Sequence, residues 1–98
     1  MAQYDVHPID GGALVVDCQA DTLSHLESRV VIPLLRRDEA PPATDFLHPI
    51  LNVSGQTLVL ATQLMTAVRK SELGRPVASL ADARYAIVRA TDLLLTGS

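Results

Sequence analysis

A chain of 98 residues has room for one domain, residues 1–98, around one modest core, and none for a substrate domain beside a cofactor domain. Apolar residues make up 48% of it, which excludes a disordered chain, while three aromatic residues and a net charge of −3 argue against direct nucleic-acid binding by charge and base stacking. One cysteine closes no internal disulfide, and with neither a signal-peptide pattern nor an apolar run near the ~18 residues of a membrane span, the expectation is a cytoplasmic chain with no membrane partner. From the N-terminus, Ala2 to His7 reads as a short strand closed by Pro8, and the turn signal Asp10-Gly11-Gly12 leads into a second strand, Ala13 to Cys18, as a hairpin.

The stretch Val15 to Leu34 organises the rest. Its ends alternate apolar and non-core positions with a period of two, which predicts two antiparallel strands. Leu14, Val16 and Cys18 share one face and meet Val30, Ile32 and Leu34 there, so the pattern fixes the register as well as the pairing. Pro33 lacks an N–H for a ladder and belongs on an edge or near the strand's end. The loop between, Ala20 to Ser28, is polar and open to a partner, with Asp17 and Asp21 bracketing a strand end and tying the loop by hydrogen bonds.

Leu35 to Asp45, charged and proline-rich, reads as an exposed connection. His48 to Val53 and Thr57 to Ala61 form another strand pair around Ser54-Gly55-Gln56, and Thr62 to Gly74 reads as a short strand or turn. A helix follows, with Ser79 as its N-cap, Asp82 three residues on, and an end near Leu95. At 100° per residue Leu80, Ala83, Ile87, Ala90 and Leu94 form one apolar stripe, opposite Asp82, Arg89, Asp92 and Thr96. Val88 and Leu95 lie on the flank, where they cap the core edge or make a dimer contact.

Short strands with a terminal helix predict an α+β, mainly β fold built on a small antiparallel barrel. Val16-Asp17, Gln19, Asp21, Arg29, Val31-Ile32-Pro33-Leu34, Leu47 and Pro49 carry a resemblance to the CcdB toxins of toxin–antitoxin modules, and the likeness covers nearly the whole chain. The resemblance implies an SH3-like small barrel with one C-terminal helix and an obligate homodimer. It also implies a non-enzymatic poison of DNA gyrase that traps the cleavage complex, is neutralised by a CcdA-like antitoxin, and requires no cofactor or metal. In that family a C-terminal Trp-Gly-Ile, an Asn on the last helical turn and two Ile in the loop touch the gyrase cleavage subunit. These positions are here Thr96, Gly97 and Ser98; Asp92; and Thr22 and Leu23. Only the Gly matches, and loss of an aromatic anchor from an interface centre costs on the order of 2–4 kcal/mol.

Two readings of the tail stay open: a plain helix end with Gly97 in the left-handed C′ position, or a tail still presented to a topoisomerase. A regulatory alternative is a gyrase-inactive, antitoxin-binding co-repressor. An enzymatic one is a MazF-like endoribonuclease, for which Arg29 and Arg36-Arg37 are the only plausible cations. His7, His25 and His48 with Cys18 lack metal-ligand spacing and read as surface histidines beside a core cysteine. No strained turn presents a nucleophile beside a base.

Overall fold

Ser28–Leu35 (β3) is the strand on which the sheet assembles, because its side chains are apolar on both faces for most of its length. The computed structural model describes residues 2–97. β3 pairs antiparallel with Ala13–Asp17 (β2) in the register Leu14↔Leu34, Val16↔Ile32, as the alternation predicted. On its other side it pairs first with Thr66–Arg69 (β6) and then, from Leu34, with Gln56–Leu60 (β5). Pro33 sits where β3 changes partner: its missing N–H falls in the gap between β6 and β5, and its carbonyl accepts the Ala61 N–H at 3.0 Å. With Asp5–Ile9 (β1), Ile50–Val53 (β4) and Ala78–Ser79 (β7), the order is β4-β5-β3-β2-β1-β7, a nearly closed, mostly antiparallel barrel with one C-terminal helix, Arg84–Thr96 (α1).

The main core gathers Val16, Ile32 and Leu34 with Leu51, Leu60 and Ile87, and Cys18 packs partly buried against it. The helix stripe is as expected, with Leu80, Ile87 and Ala90 buried and Ala83 and Leu94 half-buried. Thr62 to Gly74 contains β6, while Leu35, expected to open the exposed connection, is the last residue of β3 and pairs with Val59, so the connection begins at Arg36. The β4–β5 hairpin turns on two residues, Ser54 and Gly55, both at positive φ (53° and 85°), the conformation such loops require; Gln56 is already strand.

β1 begins at Asp5 and runs through Pro8 to Ile9, because Pro8 opposes Leu14 and points its missing donor away from β2. Ser79 is strand, not helix cap: it opposes Asp5, and the next amide, Leu80 N–H, donates to the Tyr4 carbonyl at 2.8 Å. The Ser79 hydroxyl accepts only a 3.3 Å bond from Ala81 N–H, and a 3₁₀ turn, Ala81–Ala83, precedes the helix.

The second face of the sheet is buried too. Val15, Val31 and Leu73 form a small second core with Ile9 and Val68 packed on it. Leu73 comes from the segment after β6, which runs back along β1: Gly74 N–H donates to the Pro8 carbonyl at 2.9 Å and Val77 N–H to the Val6 carbonyl at 2.8 Å. His7, Asp17 and Arg29 lie fully buried on this face. Two of the three histidines expected at the surface are therefore interior. His7 donates from Nδ1 to the Gly74 carbonyl at 2.8 Å, since a carbonyl only accepts. His48 accepts the Thr44 N–H at Nδ1 (3.0 Å), so its Nε2–H donates to Gln63 Oε1 (2.6 Å). Only His25 is exposed.

Candidate functional site

Asp17, Gln19 and Asp21, spaced two apart where β2 runs out, turn the chain into the loop by side-chain bonds. Asp17 Oδ1 accepts the Gln19 N–H at 3.0 Å, while Oδ2 accepts Arg29 Nε–H at 2.9 Å and lies 2.6 Å from Arg29 Nη2. Gln19 Oε1 accepts the Val30 N–H at 3.1 Å, and its Nε2–H donates to the Leu23 carbonyl at 3.0 Å. Asp21 Oδ1 accepts the Gln3 N–H at 2.8 Å, and Gln3 Nε2–H returns to the Cys18 carbonyl at 3.0 Å. The loop itself, residues 21–27, is exposed throughout and holds a 3₁₀ turn, Asp21–Leu23, and Ser28 is already β3. These bonds bear out the structural role expected of the two aspartates.

The loop stands across from α1, and a groove of about 570 Å³ lies between them. Leu23 and Leu26 form one wall, Val88 and Leu95 the other, with Val30 and Met65 between. Leu23 is 44% exposed and Leu95 70%, so the groove presents apolar walls to solvent, the composition of a contact surface. The flank residues Val88 and Leu95 face this opening.

Cys18 also borders the groove. Burial, and after it the neighbouring Asp17 carboxylate, push its thiol up to about 12. That shift disfavours the thiolate, which is the nucleophilic form.

Of the positions assigned by resemblance, Leu23 lines the groove and Thr22 stands exposed beside it in the same turn. Asp92 is exposed on α1, and Thr96 is the last helical residue, its hydroxyl donating to the Asp92 carbonyl at 2.7 Å. Gly97 takes φ 80° and donates its N–H to the Leu93 carbonyl at 3.0 Å, the left-handed helix stop expected of it. Ser98 lies outside the described residues. Sequence reasoning missed Leu26 and Met65 as walls; the available signal was Leu23 and Leu26 three apart in an otherwise polar loop.

Arg29, expected as a candidate cation for RNA cleavage, is out of reach of any substrate: it is fully buried and paired with Asp17. Arg36 is exposed and lies 3.2 Å from Glu39 and 3.5 Å from Asp38. Among the described residues no three His, Cys, Asp or Glu side chains converge on a metal site, and no helix is long and apolar enough to cross a membrane.

The family model described as CcdB protein matches residues 3–97. Among solved structures, an endoribonuclease in complex with its cognate antitoxin, from a mycobacterial species, superposes with a TM-score of 0.80 at 16% identity, covering 97% of this chain and 94% of that one. An endoribonuclease from a mycobacterial species gives 0.80 at 15% identity, covering 97% and 90%. At such identities the likeness is one of fold. No curated protein matches the chain.

Proposed function

This chain belongs to the CcdB family, and from that membership we propose that it is the toxin of a type II toxin–antitoxin module, trapping DNA gyrase on cleaved DNA until a CcdA-like antitoxin removes it. In this reading it works in the cytoplasm as a homodimeric single domain and inhibits by binding, without turning over a substrate of its own. The observation that carries the reading is the groove: Leu23 and Leu26 of the loop and Val88 and Leu95 of α1 line its two sides, and the loop and the helix end are the segments to which the resemblance assigns the gyrase contact. Apolar side chains left at the solvent edge of both walls supply the area that such a contact buries.

One observation favours a second reading. Thr96 replaces the aromatic anchor and Asp92 the amide, so the tail has lost on the order of 2–4 kcal/mol of interface energy relative to the family pattern. A chain that keeps the fold and the groove but lacks the anchor would serve as an antitoxin-binding co-repressor. The endoribonuclease reading draws on the fold of its structural neighbours and is opposed by the burial of Arg29.

Titration of the purified chain into the gyrase cleavage subunit separates the first two readings. The toxin reading expects saturable binding that Leu23→Asp abolishes. Antitoxin binding with no gyrase binding at any concentration would replace it with the co-repressor reading.

A further inference from the structure

We propose that Gln19 is a positioning residue that sets the shape of the groove's loop wall, an inference that rests on the reading of the groove as the contact surface. The loop has little else to shape it. Its residues from 21 to 27 are exposed, so no apolar packing into the core fixes their path; its amides bond locally, Leu23 N–H to the Ala20 carbonyl, Ser24 to Asp21 and Leu26 to Leu23, and its far end is held where the Glu27 carbonyl accepts the Lys70 N–H at 2.7 Å.

Three side chains tie the loop to the barrel, and they act at different places. Asp21 fixes the loop's first residue to Gln3, and Lys70 Nζ reaches the Ser24 carbonyl at 2.9 Å from the exposed surface. Gln19 alone of the three is buried, 8% exposed, and it reaches Leu23 itself. Its amide spans from the Val30 N–H to the Leu23 carbonyl, using one acceptor and one donor at 3.1 and 3.0 Å. Both residues it joins line the groove, so one side chain sets the spacing between the groove's loop wall and the strand behind it. Asp17 accepts Gln19's own N–H and is itself held by Arg29, which places the amide on a rigid base.

The amide's two ends make the role testable with isosteric chemistry. In Gln19→Glu the ionised carboxylate still accepts from Val30 N–H but sets an oxygen against the Leu23 carbonyl, two acceptors facing each other. Once protonated, the same side chain carries an O–H and restores the donor. Burial raises a carboxyl's pKa, which brings that protonation into a usable range.

The full-length chain, Gln19→Ala and Gln19→Glu are compared by amide hydrogen exchange and by binding to the gyrase cleavage subunit. At about pH 7.5 both variants are expected to exchange Leu23, Ser24 and Leu26 about three- to tenfold faster than wild type, the effect of one hydrogen bond of ordinary net strength. Ile32 and Leu34 should stay within about twofold of wild type, and gyrase binding should weaken in step with the loop. At about pH 5 Gln19→Glu, compared with wild type at the same pH, should regain its loop protection while Gln19→Ala should not. Unchanged loop exchange, a uniform rise through β3, no recovery on acidification, or a loosened loop with wild-type gyrase affinity would each overturn the assignment. Wild type failing to bind gyrase would instead sink the functional reading and leave the exchange data to judge Gln19.

Discussion

Arg29 and Asp17 show how much a single buried pair can demand of its neighbours. Both side chains are fully buried, and Arg29 Nη1 has no hydrogen-bond partner among the described residues, so the pair is incompletely satisfied. Removing one partner strands the other's charge: Arg29→Ala should lower unfolding stability by about 3–5 kcal/mol, read as a fall in denaturant midpoint at constant m. Removing both, as Asp17→Leu with Arg29→Met, should cost far less, and a double variant as unstable as the single would contradict this account. The pair was within reach of the sequence. Once Val16 opposes Ile32, Asp17 opposes Val31, and Arg29 becomes its diagonal neighbour. What hid it is that a charge at an alternating position ordinarily marks the wet face of a sheet, and here Leu73 and its segment dry that face. The same segment hid the burial of His7, which bonds to its Gly74 carbonyl, and the loop that Gln19 holds hid that of Gln19. For Cys18 the chemistry can be read directly: a folded-state pKa raised to about 12 favours the protonated form, so the contribution to stability is present below the ordinary thiol range and is lost as pH rises through that range towards 12. Iodoacetamide at neutral pH should accordingly label the native chain far more slowly than the denatured one, and equal rates would show that the thiol is not held protonated.

The elements differ in how openly the sequence announced them. The β2–β3 register and the helix stripe were legible because each buries a full face, and a slip or rotation would expose it. Val16→Asp or Ile32→Asp should therefore unfold the barrel, since either sets an unpaired carboxylate in the main core at a cost of several kcal/mol against a total of about 5–15; thermal melting close to wild type would refute the register. β7 and the 70–77 segment were not legible, because two-residue pairing and single ties such as Gly74 to Pro8 leave no periodicity. Gly74 shows what the segment needs. A Cβ there would sit 2.7 Å from Pro8 Cγ and 3.3 Å from the Pro8 carbonyl oxygen, so Gly74→Ala should push the segment off β1 and cost about 1–3 kcal/mol. Gly55→Ala meets nothing within 4 Å and is strained only by its φ of +85°, for a smaller loss of about 1 kcal/mol. A melting comparison in which Gly55→Ala proves the costlier change would contradict this packing of the 70–77 segment on β1.

At the scale of the whole molecule, the fold and the family were readable from the VDxQxD and VIPL segments, whereas the groove was not, since its walls come from residues more than sixty positions apart, as Leu23 and Leu95 are. A groove with exposed leucines on both rims suits a protein whose surface is completed by others. Sedimentation at low micromolar concentration is expected to give a species near twice the chain mass of 10.5 kDa, since closed two-fold assembly is the commonest way to build a symmetric inhibitor. Restoring the anchor with Thr96→Trp and Ser98→Ile should strengthen the target contact without altering the barrel, as Thr96 is exposed at the helix end. Gyrase poisoning is measured by the accumulation of gyrase–DNA cleavage complexes as the chain is titrated over gyrase and supercoiled plasmid. Linearised plasmid is expected to appear at high concentrations of the wild-type chain, to shift to about 30- to 1000-fold lower concentrations in the Thr96→Trp/Ser98→Ile variant, and to vanish when the CcdA-like antitoxin is added. A folded, dimeric chain that yields no cleavage complex in either form would contradict gyrase poisoning.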